Sequence, residues 1–210
     1  MAMARHQPER EPDDGPSAIA FLDEPPTSPD VQRLFDADLQ GMGYVMNMTR
    51  LWAHDPEALD LLSALLGHVA RAGSLTYRQR AILVASCASA LGDSYCSLAW
   101  GKKLADDAGV GVAASVLRGV DEPLDESERA LARWARRVAR EPNSMTAQHV
   151  DSLRAAGFGD AQIFDLTLFV ALRIAFSTVN DALGSRPDRE LGVDAPVEVR
   201  DAVDFGRPIA

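Results

Sequence analysis

Five side chains could do chemistry together. Asp93, Tyr95, Cys96 and Trp100 fall within eight residues of one another, and Arg173 is a cation inside an otherwise apolar run. Cys96 is the candidate nucleophile, because a thiolate attacks electrophilic oxygen or carbon far faster than a thiol does. Asp93 reads as a general acid or base, or as a helix cap. The Tyr95 hydroxyl can orient a ligand or simply pack. Trp100 offers a donor-only indole that walls a pocket but carries no proton. A charge inside a buried helix needs a partner, and for Arg173 that partner is Asp165, Asp181, Asp93 or an anionic ligand.

The positioning elements are legible. Thr76 and Gln79 form a capping box, so a helix starts there. Its body, residues 81–91, is almost wholly apolar, and Cys87 within it reads as a small core residue. Gly92 closes this helix, and Asp93 or Ser94 caps the next. Cys96 then lies in the first turn, where free amides and the macrodipole favour the thiolate. We expect an all-α domain from residue 30 to 185. It has a helix from Asp30 carrying Val31, Leu34, Phe35 and Leu39, a break at Gly41 and Gly43, and a loop over residues 43–48. A helix entered through Asp55-Pro56 and closed by Gly73 follows. Beyond the central hairpin come a short helix over 110–117, a helix with an Asp125/Glu128 capping box running to Arg140, and another over 146–156. The longest helix is capped by Asp160 and ends near Leu183. It is apolar on nearly all sides, so it should be buried, in part against another subunit. Residues 1–29, rich in proline and acidic side chains, read as a disordered tail with a short ordered patch at residues 19–22. Residues 186–210 read as a loop-rich C-terminal extension with a short helix near 197–203.

The hairpin resembles that of the alkyl hydroperoxidase D (AhpD) and carboxymuconolactone decarboxylase family. Redox-active members carry Cys-x-x-Cys, a His and a Glu in it. The second-Cys position is Cys96, preceded by Tyr95; the first-Cys, His and Glu positions hold Asp93, Trp100 and Ala81. The lead-in Gly73-Ser74-Leu75-Thr76 and the run from Arg154 to Asp160, followed by a helix ending Asn180-Asp181-Ala182-Leu183-Gly184, resemble the peroxidase-related branch. The resemblance implies an AhpD-like all-helical fold and a homo-oligomer, a trimer or a multiple of trimers. The residues themselves give the candidate site, Cys96, Asp93 and Tyr95 as catalytic groups with Trp100 and Arg173 contacting substrate, and the side chains at the four motif positions leave no dithiol relay.

Three functional expectations follow. One is a one-cysteine oxidoreductase in which a hydroperoxide oxidises Cys96 and an external thiol reduces it. Another is non-redox decarboxylase- or isomerase-like chemistry on a small organic acid or lactone, using Asp93, Tyr95 and Arg173. The third is a non-catalytic binding or scaffold oligomer. The chain holds 31 acidic against 21 basic residues, a net charge of −10, which argues against a nucleic-acid partner. The two cysteines make no disulfide framework, and His6, His54, His68 and His149 are too scattered to hold a metal, so no cofactor is expected. The run 163–179 is interrupted by Asp165 and Arg173 and reads as a buried helix rather than a membrane span. No apolar leader is visible in the first thirty residues, so the expected location is the cytoplasm.

Overall fold

A computed structural model describes residues 20–210, and every regular element among them is helical. The central element is α4 (Tyr77–Leu91), whose Thr76/Gln79 capping box is formed at both ends. Eight consecutive residues from Ala81 to Ala88 are buried, so the helix is packed all round, against α5 (Ser94–Ala108), α6 (Val110–Leu117), α7 (Glu126–Arg140) and α9 (Asp160–Ala182). Such a helix cannot be amphipathic, and its sequence is correspondingly apolar on every face. Ile82, Leu83, Leu104, Leu131, Leu166 and Val170 fill the core. The α8 helix (Ala147–Ala155) leads through the Gly157 turn into α9.

A second, smaller apolar cluster lies between this core and the N-terminal helices α1 (Pro29–Met42), α2 (Asn47–Trp52) and α3 (Pro56–Ala72). Val31, Leu34, Ala53, Leu59, Ala88, Cys96 and Phe176 form it. The N-terminal helices therefore roof the beginning of α5.

The sequence reading and the structure differ in several places. Residues 47–52 form α2 rather than a loop. Its start is held from far along the chain: the Met46 amide donates to Asp38 at 2.9 Å and the Asn47 amide to Asp188 at 2.6 Å. No local pattern announces a cap supplied by a residue so distant in sequence. Gly159, not Asp160, is the N-cap of α9. That helix is less enclosed than its composition predicts, with Phe164 68% exposed. By length and composition alone α9 could cross a membrane, yet Ile163, Leu166, Phe169, Val170 and Phe176 of its inner face are buried in the domain.

Most of the expected tail, residues 1–19, lies outside the described residues. From residue 20 the chain lies along the domain, where the Phe21 amide donates to the Leu183 carbonyl at 2.8 Å and Ser28 caps α1. The C-terminal stretch also packs down, through α10 (Arg189–Asp194) and α11 (Val197–Arg200). The Ser94 hydroxyl, at the first turn of α5, donates to the Arg207 carbonyl at 2.8 Å. Gly206 sits with φ +73°, and a Cβ there would lie 2.5 Å from the Gly92 carbonyl oxygen. The C-terminal strap thus fits against the α4–α5 hairpin only with glycine at this point.

Gly206→Ala should cost about 1–2 kcal/mol or more, because left-handed strain adds to a backbone clash. Gly111→Ala, within α6 and with open space around it, should be neutral or stabilise by up to about 1 kcal/mol. Urea unfolding of both variants beside the wild type checks the contrast.

Candidate functional site

The hairpin is built as its sequence predicts. Gly92 takes the left-handed conformation at φ +82°, and the Asp93 Oδ1 accepts the Cys96 amide at 2.9 Å. Asp93 is therefore a true N-cap of α5, and its own amide donates back to the Ala88 carbonyl at 3.0 Å. One carboxylate oxygen is consumed in capping. The other, Oδ2, is buried without a hydrogen-bond partner among the described residues.

Arg173, on the buried face of α9, points its Nη2 at the Cys96 sulfur from 3.2 Å. Its guanidinium lies 4.7 Å from the Phe176 ring centroid and 5.5 Å from that of Trp100. The Nε has no partner among the described residues. The expected ion pair with Asp165, Asp181 or Asp93 is replaced by a thiol and two aromatic faces. Trp52 stacks on Phe176 at 5.3 Å with a 9° interplanar angle, and its indole donates to Asn180 Oδ1 at 2.9 Å. Trp52 escaped the sequence reading because α2 was not foreseen. The sole hint was an aromatic residue just ahead of the Asp55 cap.

The thiol electrostatics overturn one expectation. Burial pushes the Cys96 thiol well above its ordinary range, Arg173 opposes this, and Asp93 adds to it. The helix start cannot ionise a sulfur that is 2% exposed, since desolvation penalises the charged form more than a partial dipole favours it. The buried Ser177 hydroxyl also favours the thiolate. Cys87, in the same interior, is raised to about 12 by burial, again opposed by Arg173. Both cysteines are free thiols.

Of the five predicted site residues, four converge: Cys96, Asp93, Arg173 and Trp100. Tyr95 does not join them. One position earlier on the helix, its side chain turns toward the C-terminal strap and donates to Asp188, while the Met48 amide donates to the Tyr95 hydroxyl at 3.4 Å. Burial and Asp188 hold the Tyr95 phenol far above its normal range. Asp188 in turn is raised by burial, with Tyr95 and the Asn47 amide opposing. Tyr95 therefore ties α5 to α2 and the strap.

No family model and no curated protein matches the chain. Solved structures do. A peroxidase-related protein from Ralstonia eutropha JMP134, described as an alkylhydroperoxidase AhpD core, superposes with a TM-score of 0.72 at 21% identity, covering 83% of this chain and 95% of its own. The chain has the AhpD-like fold. A second peroxidase-related protein, from Silicibacter sp. TM1040, gives 0.74 at 21% identity over 84% and 95% of the two chains. The debrominase Bmp8, as a Cys-to-Ala variant in complex with 2,3,4-tribromopyrrole, gives 0.67 at 14% identity over 84% and 92%. On this AhpD-like scaffold, the present chain places an arginine against the Cys96 sulfur.

Two outcomes are expected. Tyr95→Phe should lower stability by about 1–3 kcal/mol, the cost of leaving buried Asp188 short of a donor. It should leave the rate of Cys96 alkylation unchanged; a parallel loss of thiol reactivity would place Tyr95 in the site after all. Asp181, near the C-terminal end of α9, has its carboxyl raised from 3.8 to about 7, first by burial and then by Asp93, against Arg207. A raised acid favours folding while protonated, so its contribution is complete below pH 3.8 and lost as pH rises through 7. Asp181→Asn should therefore match the wild type in melting temperature below that window and exceed it above pH 7.

Proposed function

We propose that this chain is a one-cysteine oxidoreductase that reduces an organic hydroperoxide at Cys96. The observation that carries the reading is the Arg173 Nη2 placed 3.2 Å from the sulfur. A buried guanidinium facing a thiol is a fixed positive charge aimed where negative charge develops when the proton leaves. Asp93 supplies the base. Its Oδ2 is buried and unpartnered among the described residues, and its Oδ1 accepts the Cys96 amide, so the carboxylate sits beside the cysteine, in place of the histidine relay that Trp100 cannot provide.

The balanced sequence is short. Asp93 takes the thiol proton, and the thiolate, held by Arg173, attacks the distal peroxide oxygen. The S–O bond forms as the O–O bond breaks. Sulfur loses two electrons, and the departing alkoxide takes the proton from Asp93 to leave as an alcohol. Cys96 is then a sulfenic acid. An external thiol displaces water to give a mixed disulfide, and a second thiol molecule releases Cys96 with formation of a small-molecule disulfide. Because the resting thiol is neutral and covered by the second apolar cluster, the substrate must part that cover to reach it. The engagement of Tyr95 with Asp188 favours this redox reading over decarboxylase-like chemistry, which would need the Tyr95 hydroxyl at the site. The reading includes self-association through the outer faces of α3 and α9, where Leu61, Leu65 and Phe164 are exposed.

One observation favours a second reading. Phe176 and Trp100 present flat apolar faces to the guanidinium, and Trp52 backs Phe176, a setting suited to a planar halogenated ring such as the one the Bmp8 variant holds. The thiolate would then take the halogen as a cation equivalent, and the ring carbon would be protonated from Asp93. The same external thiol would reduce the sulfenyl halide.

Treatment with an organic hydroperoxide and a sulfenic-acid trap should label Cys96, mapped by mass spectrometry, faster than it labels a model thiol. Arg173→Met should slow labelling by about 10²-fold or more, the scale for losing one preorganised stabilising donor. Labelling no faster than a model thiol sinks the peroxide reading. Thiol-dependent bromide release from a brominated pyrrole, absent in Cys96→Ser, would then decide for dehalogenation.

A further inference from the structure

Two cations share one aromatic ring beside Cys96: Arg173 comes from α9 and Lys103 from α5. Arg80, from α4, lies over the Tyr77 ring, 5.7 Å from its centroid. Arg173 is 9% exposed, and Lys103 and Arg80 are half-buried. Lys103 Nζ lies 4.3 Å from the Trp100 ring centroid, the same ring that Arg173 approaches at 5.5 Å. The Arg80 Nε and the Arg173 Nε are both buried without a hydrogen-bond partner among the described residues. Burial, then Arg173 and more weakly Arg80, hold the Lys103 ammonium below the ordinary lysine range.

Bringing like charges together in a partly desolvated place costs free energy. The chain has acidic residues to spare, and elsewhere it uses them. Arg78 pairs with Glu128, Arg136 with Asp121, and Lys102, the immediate neighbour of Lys103, with Asp106. At Arg80, Lys103 and Arg173 no carboxylate pair is recorded among the described residues. Aromatic rings and the Cys96 sulfur face these charges, and the Nε–H groups of Arg80 and Arg173 are left buried without partners among the described residues. Such an arrangement is completed by a bound anion, whose oxygens would satisfy the free donors and neutralise the excess charge.

We infer that Arg173 and Lys103, with Arg80 as a further charge at its margin, form an anion site beside Cys96 that takes the carboxylate of a small organic acid, with its apolar body against the Trp100 ring. This rests on the redox reading above and narrows its substrate to a carboxylate-bearing hydroperoxide. The acid group docks on the cations while the peroxide group reaches the sulfur. Arg173 then has two duties on two donors, since Nη2 serves the thiol and Nε remains for the anion.

Benzoate and benzamide serve as probes, nearly identical in shape and differing in charge. Calorimetric titration is run on the full chain and on Cys96→Ser. Benzoate should bind at least about tenfold more tightly than benzamide to both proteins, a difference worth about 1.4 kcal/mol. Added salt should weaken benzoate and leave benzamide unchanged. Lys103→Gln and Arg80→Gln, both half-exposed positions where folding is readily checked by melting, should each weaken benzoate several-fold. Benzoate binding no tighter than benzamide in the wild type overturns the proposal, as does benzoate binding indifferent to both substitutions. Neither result bears on peroxide labelling of Cys96, so loss of the anion site and loss of the redox reading are told apart.

Discussion

A guanidinium buried beside a thiol, with no carboxylate partner at hand, is the constraint that gives this fold its functional character. Arg173 sits on the inner face of α9, and removing its charge from water is costly. The surroundings offset part of that cost by two means, a polarisable sulfur at 3.2 Å and the ring faces of Phe176 and Trp100, while the unpartnered Nε adds to it. A purely structural arginine in an acidic protein would have found an aspartate. Burial, with Asp93 nearby, makes Asp181 harder to ionise, yet neither carboxylate pairs with Arg173. The packing thus holds cation and carboxylates apart around one sulfur, which stores electrostatic potential at that atom rather than cancelling it.

The rest of the architecture keeps this arrangement dry. The all-round burial of α4 fixes the floor, and the Gly92–Asp93 break sets the angle at which α5 leaves it. The N-terminal helices roof the sulfur, and the Tyr95–Asp188–Asn47 network joins that roof to α5 and the C-terminal strap. In low dielectric the interaction between Arg173 and a nascent thiolate is far stronger than in water, but so is the penalty for forming the thiolate. At rest the penalty wins, and the thiol is neutral. A polar reactant that brings its own dipole and parts the cover changes that balance, so reactivity is coupled to substrate binding. A permanently ionised, exposed cysteine would instead be open to any oxidant.

Much of this was legible in the sequence. The Thr76/Gln79 and Asp125/Glu128 capping boxes, the Gly92 break and the Asp93 cap all stand where local chemistry places them, because caps and left-handed glycines are decided within a few residues. Cys96 and Arg173 were visible as oddities, a thiol at a helix start and a charge in an apolar run. The α2 helix was not visible, since its start is held by Asp188 from the far end of the chain. The fate of Tyr95 was hidden for the same reason. The sign of the thiol shift was missed because a macrodipole argument is local, whereas desolvation depends on which distant helices close over the site. Lys103 drew no reading from the sequence, and its meeting with Arg173 over Trp100 depends on how α5 and α9 pack.

Trp100, which stands where the resemblance would put a relay histidine, bears on what the site can accept. An indole has no lone pair to take a proton, so a relay through this position is closed and Asp93 is left as the base nearest the sulfur. The same ring gives two cations a face to rest on, which histidine, itself a cation when protonated, would not do. Trp100 therefore exchanges proton transfer for tolerance of clustered positive charge. That exchange makes sense for a site selected to hold an anion. The residue that departs furthest from the dithiol pattern is also the one that makes the cation cluster affordable in a buried place.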